Sequence, residues 1–237
     1  MRNILITGGS RGIGAACVRL FAANGDRVFF TYNKSKEKAT ALAEATGAFA
    51  VCADASSVEM MTKAAETVHR FGQLDVLINN AGIAQIKMFQ DITEDDWDRM
   101  FDVNIKSMYI AAKLFVGDMI SKKNGRIINI SSMWGETGGS CEVHYSASKA
   151  AVIGFTKALA KELGPSGITV NCVSPGVIDT DMNALLDDDD LRSLMEEIPV
   201  NRIGTPQDVA RTIAFLASEA AGFITGTTVP VNGGMVI

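Results

Sequence analysis

No apolar run in this sequence approaches the ~20 residues that a helix needs to cross a bilayer. Its opening, MRNILITGG, reads as a strand with a turn, not a signal peptide. No membrane role is expected. Basic residues are outnumbered by acidic ones, 22 to 27, and no basic stripe appears, so the net charge of −5 favours solubility and argues against a nucleic-acid partner. Cysteine is scarce. The four present (Cys17, Cys52, Cys141, Cys172) show no metal spacing, and three lie in apolar helix or strand contexts where a thiol behaves as a small hydrophobe. No metal site is expected, and a reducing cytoplasmic location fits. Internal repeats, low-complexity stretches and interdomain linkers are also missing, so residues 1–237 are expected to form a single domain.

What the chain does contain alternates regularly. Short β-branched runs (NILIT, RVFFTY, AFAVC, DVLINN, GRIINIS, ITVNCVS, TVPVN) are separated by longer segments with helical apolar spacing. Continuous apolar strands joined by helical crossovers predict an α/β protein with a parallel sheet covered on both faces. Right-handed crossovers wind such a sheet into a Rossmann-type, doubly wound dinucleotide-binding fold. The first strand enters Gly8-Gly9-Ser10-Arg11-Gly12-Ile13-Gly14, and a helix starts at once. Glycines there let the backbone approach a pyrophosphate at the positive end of a helix, although the spacing is G-x-x-x-G-x-G and a purely structural turn is the rival reading. The second strand ends Phe30-Thr31-Tyr32-Asn33-Lys34 with no carboxylate to bind a ribose 2′-hydroxyl. Its absence, with Arg11 and Lys34 nearby, suits a 2′-phosphate and favours NADPH/NADP+ over NADH.

Tyr145 and Lys149 stand four apart in YSASKAAVIGFTKALAKEL, on one face of a predicted helix. A phenol titrates near pH ~10, and an adjacent ammonium would lower that value toward useful acid/base chemistry. Ser132, in INISSMWG, would hold a carbonyl oxygen against the phenol. Together these groups suit the addition of hydride and a proton to a ketone. In DITEDDWDRMFDVNIKSMYIAAKLFVGDMI, Thr93 and Asp96 predict a helix cap, and Asn104 falls inside the helix among apolar residues, where a buried amide needs hydrogen bonds. Asp54 follows the third strand; capping the helix that starts near Ser57 and meeting an adenine amino group are both open to it.

TGGSRGIG, NNAG at Asn79–Gly82, Asn104, Ser132, Tyr145 with Lys149, and SPG at Ser174–Gly176 occur in that order. Over essentially its whole length the chain resembles the short-chain dehydrogenase/reductase family, and within it the bacterial 3-oxoacyl-acyl-carrier-protein reductases. The resemblance implies a seven-stranded sheet in the order 3-2-1-4-5-6-7 and a nicotinamide coenzyme. It implies that Ser132, Tyr145, Lys149 and Asn104 are catalytic, with Asn104 holding a water that links the lysine to solvent. It implies coenzyme contacts from Gly8, Gly9, Ser10, Arg11, Gly12, Ile13, Gly14, Asn33, Asp54, Ala55, Asn80, Ala81, Gly82, Tyr145, Lys149, Pro175, Gly176, Ile178 and Thr180. DMNALLDDDDLRSLMEEIP reads as a mobile substrate-covering segment, with Asp187–Asp190 a solvated charge run.

The substrate implied is a 3-oxoacyl thioester on an acidic acyl carrier protein, for which Lys122, Lys123 and Arg126 offer a basic docking patch. Ser166 stands where many such reductases carry a second basic residue. Acetoacetyl-CoA, a small free ketone, a ketone on a modified protein such as a translation factor, and a non-catalytic nucleotide-sensing scaffold are the alternatives. Apolar residues of 97–120 and 145–163 (Met100, Phe101, Met108, Tyr109, Ile110, Leu114, Phe115, Val152, Ile153, Phe155, Leu159) exceed one buried helix face, and the end TVPVNGGMVI is apolar. With the resemblance, these features imply a homotetramer. His144 and Cys141 are read as incidental.

Overall fold

The structure is a computed structural model that describes residues 1–181 and 188–237. Residues 182–187 of the expected covering segment, and the side chains of the aspartate run, lie outside the described residues. Strands β1 (Asn3–Ile6), β2 (Arg27–Tyr32), β3 (Phe49–Cys52), β4 (Val76–Asn79), β5 (Gly125–Ile130), β6 (Ile168–Pro175) and β7 (Thr228–Val231) form one parallel sheet in the order β3-β2-β1-β4-β5-β6-β7. The helices are α1 (Gly12–Ala23), α2 (Lys36–Thr46), α3 (Val58–His69), α4 (Glu94–Phe101), α5 (Ser107–Lys122), the short α6 (Trp134–Thr137), α7 (Val143–Leu163), α8 (Asp188–Glu197) and α9 (Pro206–Leu216). The expected fold class, strand count and order are all present.

The period-two alternation of the strands divides the core into two layers. Ile4, Ile6, Val28 and Phe30 pack with Cys17 and Phe21 of α1 and with Val209 and Ile213 of α9. Leu5, Phe29, Leu77 and Ile127 face the other way, onto Met61 of α3, Phe115 of α5 and Ala160 of α7. Both faces are covered, which is why β1, β4 and β6 are buried throughout. The edge strands β3 and β7 are not.

The predicted cap is present: Thr93 and Asp96 form a capping box at the start of α4. The helix that follows is not continuous, as the sequence suggested. Between α4 and α5 the backbone opens into a π turn over Asp102–Lys106 that carries Asn104. Such a bulge relaxes the regular i to i−4 ladder and re-aims the residue at its centre. The direction of strand succession reverses between β1 and β4. The loops leaving those two strands therefore diverge and open a crevice at the carboxyl edge of the sheet.

Candidate active site

Tyr145 and Lys149 lie on one face of α7, both buried, and Ser132 follows the end of β5. Ser132 faces the Tyr145 phenol closely enough to act on its ionisation, and its Oγ accepts from the Trp134 amide at 3.2 Å. The Lys149 ammonium donates to the Ile130 carbonyl at 2.9 Å and stands 5.7 Å from the centre of the Tyr145 ring. Ser131 Oγ donates to the Lys149 carbonyl at 2.8 Å, tying α7 to the end of β5. The net direction for the phenol is not the expected lowering. Burial pushes Tyr145 up to about 12, opposed by Ser132, and burial pushes Lys149 down to about 8. Desolvation wins for the ammonium because it has no carboxylate partner, and for the phenol because only Ser132 opposes it while Glu142 adds to the rise.

Asn104 is fully buried, and its amide is satisfied from three directions. Its Oδ1 accepts from the Ile83 amide at 2.8 Å, while its Nδ2 donates to the Ile83 carbonyl at 2.9 Å and to Ser148 Oγ at 3.0 Å. Ser148 donates onward to the Tyr145 carbonyl at 2.7 Å. The π turn thus delivers Asn104 to the loop after β4 and to α7 together. Gly82 packs between the two catalytic elements. A Cβ placed there would lie 3.3 Å from Asn104 Oδ1 and 3.4 Å from Lys149 Nζ.

The nucleotide-facing residues gather on the same edge. Asn80 donates from Nδ2 to the carbonyls of Thr7 and Gly8, both at 3.0 Å, and Thr7 Oγ1 accepts from the amides of Asn80 and Ala81. This cross-bracing holds the glycine turn against the NNAG loop. Gly12 adopts φ +52°, and a Cβ on Gly14 would stand 2.7 Å from Asn80 Nδ2, so both positions demand glycine. Gly9 packs on Phe30, and Gly12 lies against the Thr180 side chain. Asn33 donates to Asp54 at 2.8 Å, and Asp54 accepts from the Ser56 amide at 2.9 Å. The cap of α3 is Ser57, so Asp54 does not have that role. Ala55 is buried beside it; Pro175 ends β6, and Gly176, Ile178 and Thr180 follow it, with Ile178 bridged to Gly204. Ser10 and Ile13 are half-buried on the turn itself.

These residues fit a dinucleotide. Helix α1 starts with no side-chain cap and no acidic residue in its first turn, whereas α3, α4 and α9 are all capped by side chains. Its free amides and dipole suit an anion brought close by Gly12 and Gly14. Near the turn Arg11 stands 3.5 Å and Lys38 2.8 Å from Asp181, and Lys34 is exposed like both of them. Lys38, Asp181, Ile83 and Ser148 were not found from sequence, because only the fold brings them to the site. Ser148, one position before Lys149 in YSASK, was the one with a local signal.

The expected basic patch lies before and at the start of β5, as its sequence position implied. Lys122 is paired with Asp75, and Arg126 donates to Asn124 at 3.0 Å. All three cations precede or open β5, at the amino edge of the sheet, whereas Ser132 follows its end. A six-residue strand separates them by about 20 Å at ~3.3 Å per residue, so the patch lies away from Ser132.

A solved structure of a Serratia marcescens short-chain dehydrogenase/reductase, a double mutant, aligns with TM-score 0.92 at 36% identity, covering 99% of this chain and 97% of that one. The family profile described as Enoyl-(Acyl carrier protein) reductase matches residues 8–236. The chain belongs to the short-chain dehydrogenase/reductase family of oxidoreductases. More particularly, it is 43% identical over 242 residues to the 3-oxoacyl-acyl-carrier-protein reductase FabG of Staphylococcus aureus, across 99% of this chain and 98% of that protein. The FabG proteins of Aquifex aeolicus and Escherichia coli are 41% and 39% identical, each over 98% of this chain and 96% of theirs.

Proposed function

We propose that residues 1–237 form one catalytic domain that reduces the 3-keto group of an acyl thioester on acyl carrier protein, using NADPH, in fatty acid synthesis. The gathering of Ser132, Tyr145 and Lys149, all buried, at the end of β5 carries the reading. The full-length likeness to three named 3-oxoacyl-acyl-carrier-protein reductases supports the substrate class. The glycine turn, Asn33, Asp54, Ala55, Asn80–Gly82, Tyr145, Lys149 and the Pro175–Thr180 segment would hold the coenzyme, with Arg11 and Lys38 next to its 2′-phosphate. NADPH, when bound, supplies the hydride.

The chain's own part is protonic and electrostatic. Ser132 and Tyr145 donate hydrogen bonds to the ketone oxygen and draw charge onto it. Tyr145, fully protonated at neutrality with its value near 12, gives up its proton as the oxygen becomes an alkoxide. Lys149 stabilises the resulting phenolate. Asn104, on the opposite side of Gly82, would hold a water that links Lys149 to solvent, by which the proton is replaced.

An assay with acetoacetyl groups on acyl carrier protein, on CoA and as a free ester, with either coenzyme, tests the reading. Efficiency should be highest on the carrier-bound substrate with NADPH. Arg11→Ala should cut the NADPH:NADH preference about tenfold, the scale of one charge-assisted contact. Equal efficiency with NADH would refute the coenzyme assignment, CoA or free ketone as best substrate would refute the carrier, and no turnover of any ketone would favour the scaffold reading.

We further propose a homotetramer in the cytoplasm. Met100, Met108, Ile110, Phe115 and Val152 go into the core, yet Tyr109 and Ile120 stay about half-exposed, and Phe223 and Ile237 are fully exposed. Among the described residues no helix is long and apolar enough to cross a membrane. Light scattering at micromolar concentration should give four times the 25.2 kDa chain mass; a stable, active monomer would overturn the assembly.

A further inference from the structure

His144 immediately precedes the proton donor and is fully buried. Its Nε2 lies 2.9 Å from Oε1 of Gln85, in the loop after β4. Gln85 Nε2 in turn donates to Asp96 Oδ1 at 3.1 Å. A carboxylate only accepts, which fixes the amide's orientation: its oxygen faces the imidazole, so His144 Nε2 carries the proton. His144 Nδ1 is buried and has no hydrogen-bond partner. Asp96 is itself held by Lys87 Nζ at 2.6 Å and by the Thr93 cap of α4. Lys87 closes the loop onto the segment before α7 through its amide, which donates to the Cys141 carbonyl at 2.7 Å. One polar chain therefore joins the head of α7, the loop after β4 and α4.

That loop is the same one whose Ile83 clamps Asn104 on both sides and whose Gly82 packs against the Lys149 ammonium. Fixing Gln85 fixes the next few residues back along the chain. A second proton on His144 would put a donor at Nδ1, where nothing accepts it, and would place a charge in a buried position. The charges acting on the ring are Asp96 from α4 and Lys87 from the loop, of opposite sign, and Glu142 stands at the head of α7 itself. Burial holds the imidazole below its usual value.

We propose that His144 is a positioning residue: in its neutral form it latches the Gly82–Lys87 loop to the head of α7 through Gln85 and so keeps Asn104 and Lys149 aligned for proton transfer. This inference rests on the reductase reading above. Its consequence is an acid limb in activity that belongs to a residue touching neither substrate nor coenzyme.

The test compares wild type, His144→Leu, His144→Gln and Gln85→Leu by kcat/KM from pH 5 to 9, with coenzyme affinity measured separately. Glutamine keeps a donor where Nε2 stands but does not titrate. His144→Leu should lose about tenfold in kcat/KM at pH 7, since the half-buried Gln85 acceptor is left without its donor and the loop it anchors is released. Gln85→Leu, on the loop and outside the core, should match it, and the double variant should be no worse than either alone. His144→Gln should keep most of the activity and lose the acid limb. Wild-type efficiency in both leucine variants, or an acid limb that persists in His144→Gln and so belongs to Glu142, would overturn the proposal. Hydrogen exchange provides a readout independent of turnover. Protection of the Ile83 and Lys87 amides should fall on acidification in wild type and hold in His144→Gln. If no ketone is reduced at all, the reductase reading fails while this exchange difference still decides the latch.

Discussion

Tyr145→Phe is expected to lower turnover by roughly three orders of magnitude, within the 10²–10⁴ range of a lost general acid, while coenzyme affinity stays within about twofold. Only the hydroxyl is removed. The ring keeps its place over Lys149, the ammonium keeps its bond to Ile130, and Ser132 still accepts from the Trp134 amide. What is lost is the proton and one of two donors to the developing alkoxide. Single-turnover reduction followed by absorbance, with coenzyme binding measured by fluorescence titration, separates the two quantities. A Phe variant retaining a tenth of the rate would mean that another group supplies the proton.

Lys149→Met is expected to have opposite effects on activity and stability. Turnover should fall at least about a hundredfold, because the phenolate loses its counter-charge. The folded protein should nevertheless become more stable at pH 7. Lys149 is a buried cation bonded to a carbonyl and to no carboxylate, and a hydrophobic residue of similar volume removes its desolvation penalty. The sign with pH follows from its lowered value. With about 8 in the folded chain against ~10.5 unfolded, the folded state binds fewer protons between those limits, so wild-type stability rises across that window. The variant's advantage is therefore full below about pH 8 and fades toward pH ~10.5. Thermal unfolding at pH 7 and pH 10 measures it, at about 2–4 °C per kcal/mol for a chain of this size. A variant less stable than wild type at pH 7 would show that the ammonium holds α7 in place. Activity should report the same ionisation, with wild-type kcat/KM declining above about pH 8 as the ammonium is lost.

The sheet was legible because each strand is a short β-branched run, and in a doubly covered sheet such runs need no alternation to be recognised. The glycine turn and the Tyr145–Lys149 pair were legible for a related reason: their geometry is local, one a tight turn and the other a single helical turn. The family resemblance added Ser132, Asn104 and the segment after β6. The missed features are all tertiary. No propensity distinguishes the π turn at Asp102–Lys106 from ordinary helix; what sets Asn104 there is Ile83, more than twenty residues earlier. Arg11 and Lys38 meet across Asp181, and His144 meets Gln85, over separations that no spacing pattern spans. The distance of the basic patch from the site was not legible, because a run of cations before a strand gives no hint of which edge of the sheet it will occupy. The raised phenol follows from burial, which composition alone does not assign to a particular tyrosine.

The reversal of strand order that opens the crevice also shapes how the chain comes off the ribosome. β1 pairs with β2 on one side and with β4 on the other, and β3 lies between them in sequence. A nascent chain can therefore zip β1, β2 and β3 together while the other edge of β1 stays open. That edge is apolar on both faces and waits for everything between Cys52 and Val76 to be translated, about one to five seconds at roughly 5–20 residues per second. An uncovered, hydrophobic central strand is a template for pairing with a neighbouring nascent chain. The coenzyme crevice and the point of greatest aggregation risk during synthesis thus lie along the same seam.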